Sequence, residues 1–179
     1  NILRFDEEYS VEYKFDGLTI CLTYDDGKFV CASTRGNGIE GEDVTAQVLT
    51  IKSFPLCIDF KGKLEVQGEA IIRLSVLEKY NQTATEILKN ARNAVAGAIR
   101  NLDPKVTASR NLDVIFYNVN YSANTFIPSQ VDNIEFLKEN MFKTEKLYVT
   151  DDIESVISYI SSIDRSKLDF LIDGMVVKV

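Results

Sequence analysis

The chain has 179 residues, 45% hydrophobic and 26% charged, with ten Phe and eight Tyr. That composition fits one globular domain, burying about 70% of its unfolded surface, and excludes a disordered segment. Histidine is absent, which excludes Ser-His-Asp and Cys-His catalysis and every histidine metal site, and leaves lysine and carboxylates for nucleophilic or acid-base work. The net charge of −7 argues against a wholly cationic nucleic-acid coat but leaves room for local basic patches.

No apolar run approaches the roughly 20 residues of a membrane helix, and the segment after Asn1 has no signal-peptide pattern, so the chain reads as soluble, cytoplasmic and without a membrane partner. Opening on Asn rather than Met, it reads as a piece of a longer gene product. In the run VEYKFDG, Val11 to Gly17, strand alternation puts Glu12, Lys14 and Asp16 on one face and Val11, Tyr13 and Phe15 on the other. An ordinary half-buried strand alternates too, so this run alone does not decide between chemistry and a solvated face.

After Gly17, LTICLTY and FVCAST flank the turn DDGK and predict a hairpin, with Asp26-Gly27 supplying the positive backbone angles of a short turn. Cys21, Cys31 and Cys57 lack CxxC spacing and lie in apolar stretches, which suggests buried thiols rather than disulfides. The loop TRGNGIEGEDVT has three glycines in six positions, Gly36, Gly38 and Gly41, so its backbone can approach a ligand, and a short helix begins near Glu42. A strand follows over Leu64 to Ile72 and a helix over SVLEKYN. A helix is expected over Glu86 to Arg100, rich in Ala, Leu and Ile.

Between Lys89 and Arg110 five basic residues (Lys89, Arg92, Arg100, Lys105 and Arg110) stand against the single acid Asp103, a basic stripe on an acidic protein. Asn111 to Asn120 reads as a buried strand, and Asn133 to Phe142 and Ile153 to Ile163 as helices. Asp151, Asp152 and Glu154 suit a helix start better than a metal site. LDFLIDGMVVKV closes the chain as a strand interrupted at Asp173-Gly174. Strands and helices mix without regular βα alternation, which predicts an α+β fold with mostly antiparallel sheets flanked by helices, in a single domain spanning 1–179.

Four pieces share small residues beside isolated charges in apolar strands: KFDG, TRGNG, QGE and DGMVVK. In this order they resemble the motifs of the covalent nucleotidyltransferases. More closely, EYKFDGLTICLTYDDG, STRGNGIEGEDVTAQVLTIKSFPL, QGEAII, ARNAVAGAIRNLDP and IDGMVVKV resemble the adenylation domain of the bacterial-type NAD-dependent DNA ligases over nearly the whole chain. The resemblance implies that fold within a larger multidomain ligase that acts, as a monomer, on nicked double-stranded DNA. It implies that Lys14 attacks the adenylyl phosphate of NAD, releasing nicotinamide mononucleotide and holding AMP as a phosphoramidate. Lysine starts near pKa ~10.4, so a nearby cation or desolvation must favour the neutral amine, against Glu12 and Asp16. Lys178 and a bound metal are the candidate cations.

By the same resemblance, Glu12 reads the adenine amino group and Tyr117 stacks on adenine. Glu69 contacts the ribose or orders metal-bound water, and Asp173 belongs to the metal region. Lys178 holds the AMP phosphate, and Arg35, with Gly36 and Gly38, lies by the nucleotide or the nick. Arg92 and Arg100 match arginines that grip DNA phosphates, and Asp16 is a charge beside the nucleophile. Mg²⁺ is implied because phosphoryl transfer spreads negative charge over oxygens that a hard cation stabilises. Zinc is implied only in a domain outside this chain. Two positions depart from the family pattern: Gln67 stands where Arg is usual and Ala91 where Pro is usual. An ATP-dependent polynucleotide ligase or capping-type enzyme, or a non-catalytic nucleotide- or DNA-binding paralogue, remains as an alternative.

Overall fold

The computed structural model describes residues 8–35 and 41–179; Gly36 and Gly38 of the glycine-rich loop lie outside the described residues. The fold is α+β, with two antiparallel sheets. The smaller has the order β6-β1-β7, from β1 (Tyr9–Phe15), β6 (Tyr148–Thr150) and β7 (Ile172–Lys178). The larger has the order β3-β2-β4-β5, from β2 (Leu18–Asp25), β3 (Lys28–Thr34), β4 (Lys63–Ile71) and β5 (Asp113–Ser122).

Alternation runs through β1 and β2, yet the two strands belong to different sheets, and the chain crosses between them at Asp16-Gly17. Glycine is required at this crossing: a Cβ on Gly17 would lie 2.1 Å from the Ala70 carbonyl oxygen. The expected hairpin is β2–β3, turning at Asp26 (φ 45°) and Gly27 (φ 78°), the left-handed pair that matches strand twist.

One face of the larger sheet is apolar. Ile20, Leu22 and Tyr24 of β2, Leu64 and Val66 of β4 and Val114 and Phe116 of β5 are all fully buried. They pack with Val95 and Ile99 of α3 (Ala91–Ile99) and Leu137 of α5 (Gln130–Glu139), and burying each large side chain contributes about 1.5–3 kcal/mol. A second cluster joins the two sheets: Ile71 and Ile115 meet Phe170 and Ile172, with the Tyr13 and Phe15 rings 5.5 and 5.3 Å from that of Phe170.

The remaining helices are α1 (Thr45–Val48), α2 (Leu74–Thr83), α4 (Pro104–Arg110) and α6 (Ile153–Ser162). Several sequence expectations need correction. The helix expected from Glu86 begins at Ala91, because Asn90 caps it by accepting from the Asn93 N–H at 2.9 Å. Upstream, the Asn81 side chain binds both backbone groups of Leu88 at 2.9 Å and holds that stretch out of the helix. The helix expected over Asn133 to Phe142 starts earlier, at Gln130, where Ser129 is the cap. Strand β7 continues through Asp173-Gly174, where its register with β1 shifts rather than the strand breaking.

Helix α4, not anticipated, is started by Asp103 and Pro104 at its first turn. Asp152 caps α6, as expected of that acidic stretch. The cysteines are free, but Cys21 and Cys31 are half-buried and Cys57 is exposed rather than in the core. Among the described residues no helix is long and apolar enough to cross a membrane.

Candidate active site

Where β1 leaves the smaller sheet for β2, the two sheets enclose a cavity of about 340 Å³. Its lining includes Glu12, Lys14, Asp16, Arg35, Glu69, Arg92, Tyr117 and Asp173, so eight of the ten residues singled out in the sequence converge here from six segments.

Two β-bulges aim side chains at this space. Lys14 pairs with Gly174 and Phe15 with Ile172, so Asp173 is the extra residue on β7; its carboxylate forms an ion pair with the Lys14 ammonium. On β5, Asn118 pairs with Gln67 and Phe116 with Gly68, leaving Tyr117 as the extra residue. A bulge turns one side chain out of strict alternation, and here both bulges serve the cavity.

Three ion pairs hold most of the cavity's charges. Lys14 and Asp173 stand at the mouth, with side chains 54% and 56% exposed. The Arg92 guanidinium on α3 lies 3.5 Å from Asp16 Oδ1. Glu12, expected on a charged open face, is buried: its Oε1 accepts from Lys178 Nζ at 2.6 Å and its Oε2 from Gln130 Nε2 at 2.9 Å. Lys178 therefore reaches the cavity through Glu12 and does not line it.

Glu69 sits directly across from Thr19 on β2, whose hydroxyl donates to Glu69 Oε2 at 2.9 Å. Burial pushes its carboxyl up to about 7, although the Thr19 hydroxyl, the Gly17 N–H and the Arg92 and Lys14 charges oppose the rise. Asp173 goes the other way, held below the usual carboxylate range first by its hydrogen bond and charge contact with Lys14 and also by Arg92 and Arg165. Burial likewise raises the Tyr117 phenol, whose oxygen accepts from Gln67 Nε2 at 2.9 Å.

Two members of the basic stripe have local partners of their own. Arg100, outside the cavity, lies 3.9 Å from Glu42 Oε2, and the Arg110 guanidinium stacks 4.7 Å above the Tyr80 ring. Four cavity residues, or their immediate partners, were missed in the sequence: Thr19, Gln130 and Arg165 outright, and Gln67 noted only as a departure. Thr19 carried a signal, two residues past the crossing glycine on the face of Glu69. Gln130 carried none, because its partner Glu12 is 118 residues away.

Among the described residues no group of three or more His, Cys, Asp or Glu side chains is gathered to hold a metal ion. Glu69 and Asp173 do present carboxylate oxygens of the kind a hard cation takes, and Mg²⁺ normally retains several waters beside one or two carboxylates.

The chain is 48% identical over 176 residues to the DNA ligase of Alkaliphilus metalliredigens and 51% identical over 178 residues to that of Finegoldia magna. Each match covers 96% of this chain and 26% of the relative, so the chain spans about a quarter of the length of these ligases. A solved mycobacterial DNA ligase D complexed with ATP and MES superimposes with a TM-score of 0.50 at 14% identity, over 96% of this chain and 48% of that one, and so shares the fold. The family model described as the NAD-dependent DNA ligase adenylation domain matches residues 1–179, its full length, and the chain belongs to that family.

Proposed function

We propose that Lys14 is the nucleophile that takes the adenylyl group from NAD. The neutral Nζ attacks the adenylyl phosphorus. The P–O bond to nicotinamide mononucleotide breaks and its electron pair leaves with that group, while the amine gives up a proton and becomes a phosphoramidate. The AMP is then passed to the 5′ phosphate of nicked DNA, whose 3′ hydroxyl displaces it to seal the strand. The observation that carries this reading is the position of Lys14. It is a half-exposed lysine at the mouth of a 340 Å³ cavity, held opposite side-chain-free Gly174 and ringed by Asp16, Glu69, Arg92 and Asp173.

The other roles follow from the donor sets. Glu12, with each oxygen already accepting one hydrogen bond, keeps lone pairs for the adenine amino group. The Tyr117 ring, tethered by Gln67, supplies the stacking surface. Asp173 must release Lys14 before the amine can attack, and a phosphate oxygen is the natural replacement partner for the ammonium. Arg35, exposed on the lining, takes phosphate oxygens, as does Lys178, whose ammonium keeps two donors beyond the one on Glu12, and Arg92 and Arg100 bind the DNA backbone. Glu69 and Asp173 would be the carboxylates to hold a Mg²⁺, which when bound would supply positive charge against that developing on the phosphoryl oxygens. Residues 1–179 act as one adenylation domain of a larger multidomain ligase, a cytoplasmic monomer, with zinc confined to another domain.

The test uses the full-length ligase and NAD or ATP labelled in the AMP moiety. Label transferred to the protein from NAD but not from ATP, and lost in Lys14→Ala, is the expected result. Transfer from ATP alone supports the ATP-dependent reading, and no transfer from either supports a binding paralogue.

A further inference from the structure

Gln130 is the first residue of α5, and its side-chain amide bridges the two sheets. Its Nε2 donates to Glu12 Oε2 on β1 at 2.9 Å and to the Tyr117 carbonyl oxygen on β5 at 2.8 Å. Tyr117 is the extra residue of a bulge, a position where the ladder is disrupted, and Gln130 supplies the donor its carbonyl needs. Both partners are acceptors, so the NH₂ end of the amide must face them and both of its hydrogens are used.

We propose that Gln130 is a positioning residue that makes the base site selective for a 6-amino purine over a 6-oxo purine. The proposal rests on the reading of Glu12 and Tyr117 as the adenine-facing pair. Lys178 and Gln130 donate to the two different oxygens of Glu12, which fixes the plane of its carboxylate and keeps both oxygens as acceptors. A fixed acceptor welcomes an amino group and opposes a carbonyl oxygen. The same amide also donates to the Tyr117 carbonyl oxygen, and that second hydrogen bond keeps its NH₂ end turned toward Glu12. Without Gln130, Glu12 keeps one donor and gains rotational freedom.

The test is calorimetric binding of AMP and inosine monophosphate, which carries a 6-oxo base, to this chain as wild type, Gln130→Ala, Gln130→Met, Glu12→Ala and Glu12→Ala/Gln130→Ala. Melting curves identify which variants fold, and the near-isosteric Gln130→Met stands in if the alanine variant does not. The expected result is an AMP affinity about tenfold lower on loss of Gln130, an inosine monophosphate affinity changed less than about twofold, and no further loss when Gln130 is removed from Glu12→Ala. Equal losses for both nucleotides, the same loss in both backgrounds, or an unchanged AMP affinity overturns the proposal. An AMP affinity unchanged by Glu12→Ala overturns the adenine reading itself, and the inference with it.

Discussion

The two faces of β4 set the core and the cleft side by side within nine residues. Leu64, Val66 and Ala70 are fully buried against the helices, where shape and apolar area decide stability. Glu65, Gln67 and Glu69 alternate with them on the opposite face, and there a matched partner decides: Asn120 for Glu65, Tyr117 for Gln67 and Thr19 for Glu69. The core is thus specified by volume and the cleft by donors, acceptors and charge. Mutations should divide along that line, with core changes lowering stability and cleft changes altering chemistry in a protein that still folds.

The largest contrast is between Lys14→Ala and Phe116→Ala. Lys14 is half-exposed, so its loss should abolish adenylate transfer, more than 10³-fold, while moving the melting temperature by less than about 2 °C. Phe116 is fully buried and 4.9 Å from the Phe142 ring, so its truncation should cost about 3–5 kcal/mol in denaturant titration. A stability loss of that size in Lys14→Ala would break the comparison.

Next in size is Asp113, at the start of β5, which receives Arg73 at 3.0 Å and Lys143 at 2.6 Å. Burial raises this carboxyl, but the Lys143, Ser53 and Arg73 hydrogen bonds outweigh it and hold the group below its ordinary value of 3.8. Its contribution is therefore present above the unfolded pKa and lost as pH falls through the folded one. Asp113→Asn should cost about 1–3 kcal/mol at pH 7, with a smaller difference from wild type in acid.

Glu69 has the opposite sign. Raised from 4.5 to about 7, it binds its proton more tightly folded than unfolded, so this group makes stability fall as pH rises across that window. The total is at most about 3 kcal/mol. Glu69→Gln should flatten the curve between those values, and an unchanged slope would remove Glu69 from the account. The smallest effect is expected for Arg100→Ala: less than twofold on AMP binding, with a shallower salt dependence of binding to nicked DNA.

The hairpin and the apolar face were legible because they follow local rules, and the motif residues through the family resemblance. Asp26-Gly27 writes its own turn, and the alternation of Ile20, Leu22 and Tyr24 gives the buried face directly. Three things were not legible. The alternation of VEYKFDG continues into β2, so nothing before Gly17 reveals that the chain changes sheets. The bulges at Tyr117 and Asp173 depend on register between distant strands, and each re-aims a residue whose facing strict alternation would misassign. The burial of Glu12 follows from Lys178 and Gln130, partners supplied from far along the chain. The true start of the helix expected from Glu86 was hidden for a similar reason, since Asn81 captures the Leu88 backbone across a turn.

The central claim is that one lysine in this cavity carries the adenylate. Its most direct test is peptide mapping by mass spectrometry of the full-length ligase after incubation with NAD and no DNA. The account predicts a single AMP adduct on the peptide containing Lys14, released by acid and stable to alkali as a phosphoramidate is. An adduct on Lys178 or any other residue, with Lys14 unmodified, would contradict it.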